Sequence, residues 1–525
     1  MFSITKKVSK RASLFLFVIL LVGVALSPAP LFSISLEEET LKRLDHIRAE
    51  KKQQLFDYME KLQKNAFSIK SDQVMIDFFH LKSHYFELKK KAPPPEKVAL
   101  KINELKEKIR EHYLKNYIAF YDILFVNPAG DIFFTLRQES DYLQNLFQGS
   151  LKRSSLAKEL RENPETSFVD YQFYDVSGEP SAFIVCPILK GKASAGWVVF
   201  QCAINKINRM FSTETGLGET GEVFLVNKDR YMLTDSRFYS DSSILKKHLS
   251  RENIIAKFNE KAGHKSVVDY RGFQTLTSFE VCHVAFSDWL LIAKIDEDEI
   301  LTDHYRNHRG ELSPLLLHQL LSQPVKEALK PATMDDDTIV VDMDEWRKGG
   351  PDQKLLTHGV STCTAVILSY PEKFVYMAHI STLDTLYGGH TTDLIGNMIK
   401  RITTFDIYKY ERRFVNAVII SPLGTTISRA IDRLVEEGFF LSQIRCMVNG
   451  AATYATPLHI CKTGETLVGW LMDPKTGKTI TQSSEGVQTV SELLREVIQK
   501  TKRPEIGNPE IGTNPNSGTT LPAFQ

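Results

Sequence analysis

Leu124-Phe125-Val126-Asn127-Pro128-Ala129-Gly130-Asp131, leading to Thr135 and Arg137, returns later in the chain as Phe224-Leu225-Val226-Asn227-Lys228-Asp229-Arg230-Tyr231, leading to Thr234 and Arg237. In each copy an apolar run reaches Asn, turns through Gly or Asp, and comes back as a second run, the pattern of a β-hairpin. Strand-forming stretches follow both copies: residues 182–189 and 196–202 after the first, and 266–270, 275–284 and 289–295 after the second. A repeat of this kind points to two similar α+β modules in tandem.

Upstream, residues 36–65 and 96–117 carry charged and apolar side chains at helical spacing, separated by Ala92-Pro93-Pro94-Pro95. They predict long amphipathic helices with a solvated charged face. Ahead of them Lys6, Lys7, Lys10 and Arg11 precede an apolar run from Leu14 to Leu26 and then Ser27-Pro28-Ala29-Pro30. Counted from Ala12 to Ile34, this segment is long enough to cross a hydrocarbon layer of roughly 30 Å. It fits an uncleaved membrane anchor or a cleaved signal peptide. In both cases the basic flank stays inside, so the chain after Ser35 is expected outside the cytoplasmic membrane: single-pass and periplasmic if anchored, secreted if cleaved.

A membrane segment, a long helix and two such modules resemble the double Cache sensor domains of bacterial chemoreceptors and sensor kinases, over residues 36–303. Thr215-Gly216-Leu217-Gly218-Glu219-Thr220-Gly221-Glu222-Val223-Phe224-Leu225-Val226-Asn227 looks like the opening of the membrane-proximal module in that family. The resemblance implies PAS-like modules and a small-molecule ligand in the distal one, such as an amino acid, amine or carboxylate. The long N-terminal helix is the expected route to a dimer. Within the distal module Asp170-Tyr171-Gln172-Phe173-Tyr174-Asp175 sets aromatic rings and a carboxylate on one strand, suited to a small cation or amino group. Tyr171, Tyr174 and Asp175 are therefore the candidate ligand contacts; the same pattern also fits a strand whose tyrosines pack and whose aspartates face water.

A chemoreceptor would re-enter the membrane after the proximal module. Here residues 304–334 offer only Pro314-Leu315-Leu316-Leu317-His318-Gln319-Leu320-Leu321, too short to span a bilayer. The stretch reads as a helical linker. From about residue 335 the pattern becomes mixed α/β, with strands expected at 338–342, 365–370, 374–380, 414–421 and 444–449 and helices at 393–405 and 426–438. Within that domain stands Thr357-His358-Gly359-Val360-Ser361-Thr362-Cys363, then a strand, a Tyr370-Pro371-Glu372-Lys373 turn, a second strand and His379. A thiol and an imidazole on neighbouring strands are the minimal parts of a cysteine-dependent acyl-transfer site. A free thiol is only a few per cent ionised at neutral pH, so it needs such a base.

These residues resemble the CheD family of chemoreceptor glutamine deamidases, which shows a threonine six residues before its cysteine, a glycine between them, and the histidine in an Ala-His pair, here Ala378-His379. The resemblance implies Cys363 as nucleophile, His379 as base, Thr357 as the residue that orients the imidazole, and a glutamine-bearing protein as substrate. Two departures bear on the turn and on docking: the family's Gly-Ser before cysteine is Ser361-Thr362, and its late glycine-rich pattern is only approximated by Val448-Asn449-Gly450-Ala451-Ala452. Two other readings stay open, a CheD-like domain that only docks a protein partner and a cysteine hydrolase acting on something other than glutamine. Family members work on cytoplasmic receptor tails, whereas one anchor puts this domain on the sensor's side.

Composition limits the remaining classes. With 65 basic against 64 acidic side chains and a formal charge of +1, nothing favours a nucleic-acid partner. Cys186, Cys202, Cys282, Cys363, Cys446 and Cys461 lack metal-ligand spacing, so neither metal nor cofactor is expected, and most read as small buried hydrophobes. The whole is an α+β multidomain chain: residues 1–35 membrane anchor or signal peptide, 36–303 double Cache-like sensor, 304–334 linker, 335–475 CheD-like mixed α/β domain, and 476–525 a C-terminal helix and disordered tail.

Overall fold

The computed structural model describes residues 34–91, 96–212, 216–284, 287–323, 335–382, 393–408, 410–422, 424–448, 455–471 and 479–502. The expected anchor up to residue 33, residues 449–452 and the residues after 502 lie outside them. Among the described residues no helix is long and apolar enough to cross a membrane. The chain forms two compact units, one spanning Glu39–Ile300 and the other built mainly from Leu301 onward.

In the first unit, helix α1 (Ile34–Phe67) buries Leu44, Ile47, Leu55, Met59, Leu62 and Ala66. With the buried Lys51, whose ammonium donates to the Met210 carbonyl, these residues recur every three or four positions as one stripe. Helices α2 (Gln73–Lys91) and α3 (Glu96–Asn116) follow. The first module then comprises β1 (Asp122–Val126), β2 (Ile132–Thr135), α4 (Ser155–Glu162), β3 (Phe168–Tyr174), β4 (Glu179–Lys190), β5 (Ala193–Ala203) and α5 (Asn205–Phe211). Its antiparallel sheet has the order β2-β1-β5-β4-β3. The second module comprises β6 (Glu222–Val226), α6 (Arg251–Glu260), β7 (Ala262–Val268), β8 (Gln274–Val284) and β9 (Ser287–Asp296), in the order β6-β9-β8-β7.

The repeat holds at the level of single hydrogen bonds. Asn127 accepts from the Asp131 amide through its side chain at 2.8 Å, and Asn227 accepts from the Tyr231 amide in the same way at 2.9 Å. Both turns need a left-handed residue, supplied by Gly130 at φ +90° and by Arg230 at φ +68°. The register repeats as well: Asp122 lies opposite Gln201 on β5, and Glu222 lies opposite Lys294 on β9.

The second unit begins with the later residues of α7 (Glu297–Asn307) and continues with α8 (Arg309–Leu321). Residues read as linker thus supply a helix whose Leu312, Leu316 and Leu320, four apart, are buried in this unit's core. Strands β10 (Thr338–Val340), β12 (Lys354–Leu356), β17 (Ala455–Ile460), β18 (Glu465–Leu471) and β19 (Thr479–Ser483) make one sheet in that order. The other has the order β11-β14-β13-β15-β16, from β11 (Glu345–Gly349), β13 (Thr364–Tyr370), β14 (Phe374–Ile380), β15 (Asn416–Ser421) and β16 (Ile444–Val448). Helices α9 (Leu394–Arg401), α10 (Gly424–Glu436) and α11 (Val490–Lys502) complete it.

Alternation along β13 and β14 sorts side chains into two cores. Cys363, Ala365, Ile367, Val375 and Met377 meet Leu355 and Val468 of the other sheet. Val366, Leu368, Tyr376 and Ala378 meet Leu316, Met398, Ile427 and Leu494 of the helices. The unit is therefore layered sheet on sheet on helices, and the cysteine belongs to the inter-sheet layer.

Candidate functional site

Between Thr357 and Cys363 the chain must leave one sheet and enter the other. Gly359, at φ +73°, makes the sharp turn, closed by the Ser361 amide donating to the Gly359 carbonyl at 2.7 Å. Ala365 pairs with His379 across β13 and β14, so His379 shares the inter-sheet face, one diagonal step from Cys363. Both side chains are buried, at 7% and 4% exposure.

Thr357 decides the state of the imidazole. Its Oγ1 lies 2.6 Å from the Val341 carbonyl oxygen and 2.8 Å from His379 Nδ1. A hydroxyl has one hydrogen, and a carbonyl can only accept, so that hydrogen goes to Val341. Toward the ring Thr357 must therefore accept, which places a proton on Nδ1 and leaves Nε2 with a lone pair. That Nε2 is buried and has no hydrogen-bond partner.

Burial pushes the His379 pKa below its ordinary value, against the opposing pull of Asp344 and Asp342. Burial likewise pushes the Cys363 thiol up, against hydrogen bonds from the Thr362 hydroxyl and the Thr382 amide. At neutral pH the resting pair is thus a neutral thiol and a neutral imidazole. The structure brings Cys363, His379 and Thr357 into one buried layer. His358 is exposed, and His390 lies outside the described residues. The other five cysteines are buried and unpaired, as small apolar side chains are. Among the described residues no group of three or more His, Cys, Asp or Glu side chains is arranged to hold a metal ion.

The candidate ligand residues are not brought together. A register shift between Val169 and Gln172 interrupts β3, so the alternation expected along that strand fails. Tyr171 packs against Trp289 with ring centroids 5.8 Å apart, and Asp175 is exposed in the turn after β3. Tyr174 instead points into the first module's core and donates to Asp141 at 2.9 Å.

There it joins a cluster that the sequence did not reveal. Asp122 Oδ2, Glu139 Oε2, Asp141 Oδ1 and Gln201 Oε1 are all buried oxygens without a hydrogen-bond partner. The other oxygen of Asp122 accepts from the amides of Ile123, Leu136 and Arg137 at 2.7, 3.0 and 3.1 Å, which fixes the free one. Gln201 lies opposite Asp122 on β5, and its amide nitrogen donates to Ser181 and Ser177, while its oxygen stays without a partner. Burial, with the neighbouring Asp141 charge, pushes Asp122 up to about 6. Asp141 is raised by burial too, with Glu139 adding to the shift. Tyr174 and Tyr121 donate to the other oxygens of Asp141 and Glu139, so the donors already present leave these four acceptors open.

No family model and no curated protein matches this chain. Among solved structures, the ligand-binding domain of the amino acid chemoreceptor PctB of Pseudomonas aeruginosa PAO1, in complex with L-Gln, is similar at 13% identity and a TM-score of 0.32, covering 49% of this chain and 90% of that one. A domain of a sensory box/GGDEF family protein from Vibrio parahaemolyticus is similar at 15% identity and a TM-score of 0.35, covering 51% and 98%. The ligand-binding domain of Campylobacter jejuni chemoreceptor Tlp3, in complex with 4-methylisoleucine, gives 10% identity and a TM-score of 0.35, covering 51% and 94%. Similarities this low carry no inference about what this chain binds.

The neutral resting pair has a measurable consequence. Alkylation of Cys363 by iodoacetamide, followed by peptide mass mapping, should rise only as pH passes above the ordinary thiol range and show no plateau at mildly acidic pH. An acid plateau would mean a preformed thiolate and imidazolium, contrary to the burial of both groups.

Proposed function

We propose that the C-terminal unit is a cysteine-dependent protein-glutamine deamidase of the CheD type, and that residues 39–300 are a Cache-type sensor for a small primary ammonium compound. The observation that carries the first half is the Thr357 hydroxyl, which leaves His379 Nε2 as an unprotonated base in the layer of Cys363.

In this reading the Cys363 proton passes to His379 Nε2 as the sulfur attacks the glutamine carboxamide carbon. An S–C bond forms, and the carbonyl electron pair moves onto oxygen, where backbone N–H groups of the turn before β13 hold it. The imidazolium returns its proton to the leaving nitrogen, the C–N bond breaks, and ammonia departs. His379 then takes a proton from water, the hydroxide attacks the thioester, and the C–S bond breaks as the thiol recovers its proton. The sum is glutamine plus water to glutamate plus ammonia.

Because both groups rest neutral, the thiolate exists only during attack. That same neutrality, with no hydrogen bond from Cys363 to Nε2, favours the second reading, a CheD-like unit that only docks a protein partner. The full chain should release ammonia from a glutamine-bearing protein and raise its mass by about one dalton per site. Cys363→Ala should lose activity by on the order of 10³-fold or more, and His379→Gln by about 10²-fold or more. Equal signals from wild type and Cys363→Ala would favour docking alone.

For the sensor half, four buried acceptors with no donor suit an ammonium, which offers three N–H donors and a positive charge. Asp122→Asn should abolish the thermal shift that ethylammonium chloride gives over sodium chloride. The same change should stabilise the ligand-free protein at pH 7 by up to about 3 kcal/mol, since it removes a buried carboxylate whose pKa is raised roughly two units. The sign follows from linkage: a carboxyl with a folded pKa of about 6 binds more protons folded than unfolded, so stability falls as pH rises from about 4 to 6. A shift that survives in Asp122→Asn would remove the cluster from ligand binding.

Localisation forms part of the same reading: residues 12–34 anchor the chain with both units outside the cytoplasm, and substrates must then be reachable there. Phosphatase and fluorescent-protein fusions at residue 310 and at the C-terminus should report an extracytoplasmic position at both points. A cytoplasmic signal at the C-terminus would place the deamidase unit on the other side.

A further inference from the structure

The two modules share a register, and its one charged difference has a chemical meaning. Where the first module sets Gln201 opposite Asp122, the second sets Lys294 opposite Glu222. Lys294 is 2% exposed. Its ammonium lies 3.0 Å from Glu222, donates to Asp269, and sits 4.6 Å from the centre of the Tyr270 ring and 5.7 Å from that of Phe238. Two carboxylates and two aromatic faces are the surroundings that proteins build around ammonium ligands.

The supporting groups correspond as well. Tyr174 stands at the end of the β3–β4 hairpin and Tyr270 at the end of β7–β8, and each donates its hydroxyl to a carboxylate of its own cluster. In the second module Arg271 then bonds Asp269 and Asp296, which completes the charge pairing. In the first, no basic side chain among the described residues forms an ion pair with Asp122, Glu139 or Asp141, and four acceptor oxygens remain unpartnered.

We propose that Lys294 is a tethered ligand: its ammonium fills, from within the chain, the site in the second module that corresponds to the first module's amine site. The second module is therefore locked in its occupied form, and response to an external amine is confined to the first. The correspondence rests on the sensor reading above, whereas the occupancy of the second site by Lys294 is independent of it.

The test is replacement of the tether by a free amine. In the full-length Asp122→Asn background, which silences the first site, Lys294→Ala should lower the melting temperature by several degrees. Titration with n-butylammonium chloride should restore most of that loss in a saturable way, while sodium chloride and tetramethylammonium chloride at equal ionic strength should not. If Lys294→Ala does not fold, Lys294→Gln, which installs the first module's own residue at this register, takes its place with ethylammonium chloride. The parent Asp122→Asn protein should show no amine-specific gain. Equal response to all three salts, or an equal gain in the parent, overturns the tethered-ligand assignment. A wild-type protein without an ethylammonium shift, together with rescue at position 294, would overturn the first-module site alone.

Discussion

Removing a polar atom from water without giving it a partner costs about 1–3 kcal/mol, and two of the places where this chain leaves such atoms bear on its chemistry. One is His379 Nε2, left open because Thr357 has a single hydrogen and Val341 takes it. The other is the group of four oxygens in the first module. The second module shows the satisfied alternative: a buried lysine, an arginine and three carboxylates paired among themselves. The contrast within one chain is between buried acceptors left open and charged groups that pair with one another.

Local chemistry was legible in the sequence, and distant pairing was not. The hairpin turns at Asn127 and Asn227 are visible because asparagine and a left-handed residue fall within four positions. Strand 374–380 was read with its observed bounds, since a run that is apolar except for His379 follows a Pro-containing turn. Of the other sheet of the C-terminal unit only β10 was read: β12 has three residues, and its partner β17 lies about a hundred positions on. The buried stripe of α8 was taken for linker because its run is too short for a membrane and holds His and Gln, yet the fourfold spacing of Leu312, Leu316 and Leu320 was there to be seen.

The sites follow the same division. Thr357, Cys363 and His379 fall within 23 residues, so their convergence could be read from a turn and one hairpin. Tyr171, Tyr174 and Asp175 are separated at β3 because a bulge shifts which side chains share a face, a feature with no sequence signal here. Asp122 and Gln201 meet only through the pairing of β1 with β5, and Lys294 sits unannounced within the apolar run of β9. Comparing the two copies of the repeat strand by strand, once aligned at their hairpins, exposes all three.

The proton on His379 joins the fold to the chemistry, because one hydroxyl hydrogen determines whether the imidazole presents a base or a donor toward Cys363. Histidine-selective ¹⁵N labelling of the full chain, with the His379 signal assigned by its loss in His379→Gln, reads this state directly. At neutral pH the ring should be neutral with its proton on Nδ1, and Thr357→Val should release that tautomer. A proton on Nε2, or an imidazolium in the resting protein, would contradict the account.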